Sequence, residues 1–226
     1  IAVVTTGFKT LADQGFAEAK LKSLKVDVDA LIPSLKGISE ELQGQASVVE
    51  LTQGAYDVAS AGYIKAADAA AVLKASSMGA TGGFSDLNTV ANATTSVLNA
   101  YGLSAQQAES VVDKFIQTQN DGKIVVAEYA NNIGKVASAA AGLNIPLEEV
   151  NTIIAQSTAS GVQAEVAFTG LKGALARLAS GQANKALSDV GVEITAASLA
   201  SDGLIGTLRK IEESGADVGL IFKALG

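Results

Sequence analysis

The 226-residue sequence contains no cysteine, no histidine and no tryptophan. Without cysteine there is no disulfide framework and no thiolate chemistry. Without histidine the chain lacks the side chain most often used as a general base and as a metal ligand. The sequence therefore predicts a protein with no catalytic site, no bound metal and no cofactor, and we expect it not to be an enzyme.

Charge and long apolar segments are also scarce. Charged residues make up 17% of the chain, and their net charge is −7, which argues against binding nucleic acid by neutralising its phosphates. The longest uncharged run, 87–108, is interrupted by Asn, Thr, Ser and Gln, so it does not form the span of about 20 apolar residues that a membrane helix needs. Residues 1–13 lack the order of a signal peptide. Because the chain starts without Met, we expect a piece of a longer protein.

What the chain has in abundance is small apolar residues at helical spacing. Residues 122–181 predict three amphipathic helices, because their apolar residues recur every three or four positions. The first helix covers about 125–140, and the second follows Pro146. The third presents a face for packing or for oligomer formation, made of Val166, Phe168, Leu171, Leu175 and Leu178.

The rest of the chain continues this pattern, so the predicted fold class is all-α, a multi-helix domain of short amphipathic helices. Further helices are predicted over 8–24, 33–43, 46–62, 63–79, 86–101, 104–119, 182–190, 204–214 and 218–225. Alternating apolar residues predict an extended segment or a short strand over 191–194, and Ser201-Asp202-Gly203 predicts a turn. The predicted organisation is an N-terminal segment (1–47), a core domain (48–181) and a C-terminal extension (182–226).

Glycine recurs where these helices end. Gly followed by an apolar and then a polar residue closes one helix and caps the next. Ser104 with Gln107 fits a reciprocal cap. The residues expected in such turns are Gly83, Ser85, Gly102, Ser104, Gly142, Pro146, Gly161 and Gly191. Two of the intervals between glycines are 19 residues long, which indicates two repeated three-helix units, 62–121 and 122–181.

No motif in the sequence forms a catalytic or ligand-binding constellation. Glu148 and Glu149 are adjacent and point to different sides of a helix, so we interpret them as first-turn carboxylates that favour the helix dipole. Asn120-Asp121-Gly122 predicts a turn rather than a calcium loop. The glycine-rich stretch 79–83 lacks the Gly-Lys-Ser/Thr ending of a phosphate-binding loop.

Six segments of the chain occur in a characteristic order and spacing: GYIKAAD (62–68), ANATTSVLNAYGL (91–103), AGLNIPLEEV (141–150), IIAQSTASG (153–161), AFTGLKGALARL (167–178) and ALSDVGV (186–192). They give the chain a resemblance to the core of bacteriophage tail tape measure proteins. It covers residues from about 48 to the end. The chain departs from the family at Pro146, where a capping Ser is common, and it lacks the family's long coiled-coil rod.

The resemblance implies a structural virion protein without enzymatic activity. Copies of such a protein lie in the lumen or at the tip of the phage tail, set tail length during assembly in the host cytoplasm, and leave ahead of the DNA. The implied partners are further copies of the chain as a trimer or hexamer, the tail tube protein, tail-tip or baseplate hub proteins, and tail assembly chaperones. DNA would pass nearby without specific binding, and other regions of the protein would meet the host membrane.

Two alternatives from other classes stay open at this point. One is a membrane-active helical protein that forms a channel for genome delivery, which release of dye from liposomes would reveal. The other is the non-catalytic part of a tail protein that degrades the cell wall. Zymography on peptidoglycan would test for that activity, since a glycosidase with two carboxylates needs neither histidine nor cysteine.

Overall fold

The computed structural model describes residues 2–83, 85–188 and 191–225, and over these residues it is helical without strands. This confirms the predicted all-α class. The chain divides into two compact units, Ile1–Ile116 (unit 1) and Gln117–Gly226 (unit 2). The described α-helices are α1 Ala2–Ser23, α2 Val28–Glu41, α3 Val48–Ser60, α4 Ala66–Gly82, α5 Leu87–Tyr101, α6 Ala108–Asp121, α7 Val126–Ile133, α8 Ala137–Gly142, α9 Leu147–Ala159, α10 Ala164–Ala179, α11 Gln182–Leu187, α12 Ala196–Glu213 and α13 Val218–Leu225.

Unit 1 is a helical bundle in which α4 packs against α2, α3 and α5. Because three helices surround it, α4 buries residues on more than one side, and most of them are small. At Gly79 the backbone of α4 approaches Val90 and Val112 so closely that an added Cβ would overlap the Val112 side chain. The alanine- and glycine-rich sequence of α4 therefore allows a close approach that larger side chains would prevent.

Side-chain caps start three helices of unit 1. Asp27 accepts the Ala30 N–H at 3.1 Å and begins α2 at Val28. This is earlier than predicted, and Pro33 lies inside the helix instead of at its start. Ser47 and Glu50 cap α3 reciprocally, and hydrogen bonds from Ser47 hold the pKa of Glu50 below its usual value. Asp86 caps α5 by accepting the Thr89 N–H at 2.8 Å.

Unit 2 is organised around α10, which contacts α7, α8, α9, α11 and α13. Phe168 of α10 is fully buried and meets the Tyr129 ring edge to face, with the ring centroids 5.6 Å apart. The buried Tyr129 hydroxyl donates a hydrogen bond of 2.5 Å to Asn151 Oδ1 on α9. These contacts join three helices through one aromatic pair and one buried hydrogen bond.

The helix predicted over about 125–140 is two helices in the structure, α7 and α8. The chain makes a tight turn at 134–136, where the Lys135 N–H donates to the Asn132 carbonyl at 2.9 Å and the Val136 N–H to the Ile133 carbonyl at 3.1 Å. Gly134 weakens the helix at this point, and the turn keeps both Ile133 and Val136 fully buried. Residues 122–181 thus hold four helices instead of three, and the repeated units are not confirmed.

The last part of unit 2 follows the sequence pattern more closely. Residues 191–195 form no helix, in agreement with the predicted extended segment, and Val192 and Ile194 are buried while Glu193 between them is exposed. No strand forms there. The predicted turn at Ser201-Asp202-Gly203 is a break within α12, because Gly203 has φ 70° and ψ 179°. The predicted helix over 182–190 appears as α11, and positions 189 and 190 lie outside the described residues.

Candidate interaction surface

The face predicted on α10 divides into two parts. Four of its five residues are buried in unit 2: Phe168, Leu171, Leu175 and Leu178 are at most 7% exposed. Val166 is 57% exposed. Residues two positions apart in an α-helix are separated by about 200° around the helix axis. Val166 therefore lies on the other side of α10 from Phe168. The four buried residues pack α10 inside its unit, and Val166 is available to another molecule.

The side of α10 that carries Val166 consists mostly of small residues over the first turns of the helix. Along this side lie Val166, Thr169, Gly170, Gly173 and Ala176, which we call the outer face of α10, and Arg177 follows on the same side near the end of the helix. A Cβ placed on Gly170 or Gly173 would meet no atom within 4 Å. Glycine inside a helix costs about 1 kcal/mol relative to alanine, and packing within the described structure does not require it here. The small residues of this outer face permit close approach of another helix over the first turns of α10.

Next to the start of α10 is an open groove of about 580 Å³. Its lining is polar: Asn131, Asn132 and Gln163 supply amides, and Lys123, Glu128 and Glu165 supply charged groups. Asn132 is held in place, since it donates to the Glu128 carbonyl at 2.7 Å and accepts from Lys135 Nζ at 2.7 Å. The groove borders the exposed Val162, and Val162 and Val166 flank the first turn of α10.

The floor of this groove depends on a close approach at Gly122. The Lys123 N–H donates to Thr158 Oγ1 at 3.2 Å. A Cβ on Gly122 would lie 2.7 Å from Thr158 Oγ1 and 2.9 Å from the Ala155 Cα atom, which is closer than non-bonded atoms tolerate. The turn before α7 therefore needs glycine, and the Asn120-Asp121-Gly122 sequence acts as a packing turn.

Unit 1 has a smaller surface pocket of about 350 Å³ between α1 and α3. Phe16 is 66% exposed there, and Lys20 Nζ lies 4.7 Å from the Phe16 ring centroid and 5.4 Å from that of Tyr56. Asp13, Ala17, Gln53 and Asp57 complete the lining. Lys20 of the same chain contacts both rings, so the cation–π interactions of this pocket are formed within the chain itself.

The predicted capping turns have mixed geometry. Gly102, Gly161 and Gly191 adopt positive φ, with 63°, 93° and 75°. Gly83 has φ −102°, and Phe84 after it lies outside the described residues. Gly142 ends α8, and Asn144 takes the left-handed conformation in that turn, with φ 57°.

Some of the polar and proline residues in these turns occupy other capping positions than the sequence predicted. The cap of α5 is Asp86, next to Ser85. The Ser104 N–H donates to Gln107 Oε1 at 3.0 Å, as the reciprocal pattern predicted. Pro146 occupies the N-cap position of α9, one residue before the helix. Asp favours the N-cap position that Asp86 occupies, and Asn tolerates the left-handed conformation that Asn144 adopts. The roles of these two residues could therefore be read from their residue types.

Within the described parts of the chain, no group of three or more Asp, Glu, His or Cys residues is arranged to hold a metal ion. None of the helices described has the length and apolar character required to cross a membrane. Among the described residues, the surface features considered for interaction are the outer face of α10, the groove beside it and the aromatic cluster of unit 1.

Comparison with known proteins gives a consistent result. The family model described as phage-related minor tail protein matches residues 34–219. A tape measure protein of Pneumococcus phage Dp-1 is 32% identical over 133 residues, which are 59% of this chain and 12% of that protein. A probable tape measure protein of Clostridium phage phiCD119 is 34% identical over 68 residues, 30% of this chain and 7% of that protein. The chain thus matches about a tenth of the length of these relatives. No solved structure matches it significantly.

Proposed function

This chain belongs to the phage-related minor tail protein family, and from that premise we propose that it is the compact helical part of a tape measure protein. Membership makes it a structural phage tail protein. In the proposed role, the whole protein scaffolds polymerisation of the tail tube, sets tail length and leaves the tail during DNA ejection. The observation that carries the proposal is the family match over 34–219, which runs from α2 to the first residues of α13.

The proposed location is the lumen or tip of the tail, with assembly in the host cytoplasm. The proposed partners are further copies of the chain, the tail tube protein, tail-tip or baseplate hub proteins and assembly chaperones. The net charge of −7 supports a surface past which DNA moves without specific binding. The charged backbone of DNA is repelled by such a surface, and few basic side chains are available to hold it.

The experiment that tests the tail role is an in-frame deletion of residues 122–181 in a phage that encodes this chain. This deletion removes most of the helices around α10, so we expect tail tube polymerisation to fail and electron microscopy to show heads without tails. A phage with the single substitution Lys36→Ala, at an exposed position of α2, is the control for the genetic manipulation. Tails of normal length and number in the deletion phage would contradict the proposed scaffold role.

For self-association we propose that the outer face of α10 contacts a second copy of the chain. Its support is the combination of an exposed valine with two glycines that no packing contact requires. Light scattering over a concentration series should show a discrete trimer or hexamer for the 226-residue chain. Gly170→Lys should reduce the mass to that of a monomer, because a long charged side chain keeps the helices apart.

The matched control for that substitution is Ala179→Lys, which adds the same side chain at an exposed position of α10 outside the outer face. We expect it to leave the mass unchanged. A wild-type chain that is monomeric at every concentration would contradict self-association by this part of the protein. Equal effects of both lysine substitutions would contradict the assignment of the outer face.

A further inference from the structure

The break in α12 creates a second helix start inside the element. Gly203 has φ 70° and ψ 179°, a backbone conformation that is open essentially to glycine alone. Residues 204–213 therefore form a helix with its own N-terminus, whose first N–H groups have no partner within the helix. A partner from elsewhere in the chain is needed because Leu204 is almost fully buried.

That partner is the carboxylate of Glu149, which lies 55 residues earlier in the chain. Glu149 Oε2 accepts the Leu204 N–H at 2.5 Å and the Ile205 N–H at 3.2 Å. An ionised oxygen at a helix N-terminus is favoured both by charge-assisted hydrogen bonding and by the helix dipole. Glu149 thus caps a helix other than the one it belongs to, whereas its sequence position suggested support of α9.

The position of the Glu149 carboxylate also requires that residue 203 has no side chain. A Cβ placed on Gly203 would overlap the carboxylate oxygens of Glu149. The absence of a side chain at 203 therefore serves two purposes, the unusual backbone conformation and the room for Glu149. The two residues form one interlocking contact between α9 and α12, and α9 is the helix that α12 contacts most.

We infer that Glu149 is a latch that holds the 204–213 helix on α9, so that loss of this carboxylate opens that helix while α7–α10 stay folded. The inference concerns the geometry of the chain and does not depend on the proposed function. Apolar burial of Leu204 and Ile211 also contributes to docking, but apolar contacts have little directional preference. The carboxylate supplies the directional contact at the start of the helix.

The test compares Glu149→Ala with Glu148→Ala in the 226-residue chain. Glu148 is the matched control, because it is exposed, precedes Glu149 in the same first turn and carries the same charge. Hydrogen exchange should show the amides of 204–213 losing protection by at least about tenfold in Glu149→Ala. Protection in α9 and α10 should be retained. Trypsin should cleave faster at Arg209 and Lys210.

A second variant keeps the result interpretable. Gly203→Ala should open the same segment, and combining it with Glu149→Ala should cost less than the sum of the two, because the overlap with the carboxylate is then gone. The latch is contradicted if Glu149→Ala leaves exchange over 204–213 unchanged, or if Glu148→Ala has the same effect. It is also contradicted if protection falls equally in α9 and α10, or if the two substitutions are additive.

Discussion

Unit 1 and unit 2 bury their central helices in different ways. In unit 1, α4 packs through small residues such as Ala69, Ser76 and Gly79, with little volume per contact. In unit 2, α10 packs through large ones, and Phe168 against Tyr129 is the clearest case. Close approach of backbones stabilises the first arrangement, whereas area buried by a few large side chains stabilises the second.

The two units also differ in how deeply the side-chain hydrogen bonds between their elements are buried. In unit 1, Tyr63 binds Asn99 and Gln106 binds Asp68 at exposed positions. In unit 2, the Tyr129–Asn151 bond is buried, and the Ile194 N–H donates to Asn184 in a partly buried setting. A unit of small residues should therefore be sensitive to added volume, and a unit with buried anchors should be sensitive to lost groups.

The largest expected effect is the loss of an anchor in unit 2. Phe168→Ala should lower the free energy of unfolding by about 3–5 kcal/mol, because it removes a fully buried ring and leaves a cavity. Lys172→Ala on the same helix is the control, with an expected change within about 0.5 kcal/mol at its exposed position. Urea denaturation followed by hydrogen exchange of the unit 2 amides measures both. Equal effects of the two substitutions would break the comparison.

A smaller effect is expected from added volume in unit 1. Gly79→Ala should destabilise the unit by about 1–3 kcal/mol, because the new methyl group overlaps Val112 in a packed interior. Gly37→Ala in α2 is the matched control, since a Cβ there meets nothing within 4 Å. That control should stabilise the chain by about 0.5–1 kcal/mol through helix propensity. Urea denaturation of each variant gives the two values, and a stabilising Gly79→Ala would contradict close packing of α4.

The smallest effect is a pH dependence at the caps of unit 1. Hydrogen bonds from the Thr89 hydroxyl and N–H hold the pKa of Asp86 below its usual value. A carboxyl group with a lower pKa in the folded chain stabilises the fold above its ordinary pKa, about 4, and this stabilisation is lost as the pH falls through the folded value. The free energy of unfolding of the wild-type chain should therefore fall as the pH is lowered below about 4.

Asp86→Asn separates the cap from its charge. Asparagine also caps helices, so stability at neutral pH should change little, whereas the loss of stability between about pH 5 and about pH 2 should become shallower. Urea midpoints measured across that range for both proteins give the comparison. Identical pH profiles would show that Asp86 does not contribute to the pH dependence.

Sequence reasoning was most successful where a local rule decides the structure. Apolar spacing predicted helices over most of the chain, and alternation predicted the extended segment at 191–194. Ser201-Asp202-Gly203 predicted the break in α12. Each of these features follows from residues within one or two turns of each other, so a single sequence contains the necessary information.

The predicted α10 face shows where local rules are insufficient. The predicted face places Val166 and Phe168 on one stripe, whereas a spacing of two residues puts them on different sides of a helix. The break between α7 and α8 was missed because its cause includes burial of both Ile133 and Val136, a requirement of the surrounding helices.

By itself, the sequence determined that the chain is helical, where most helices end, and that it resembles tape measure proteins, because periodicity, turn residues and ordered motifs are local properties. Only the tertiary structure decided that Glu149 caps a helix 55 residues away, that Gly79 and Gly122 are needed for close approach, and that Val166 of α10 is exposed. The physical reason is that a contact between distant segments depends on how all the intervening helices pack. Two residues far apart in the chain therefore show their relation only once the fold has brought them together.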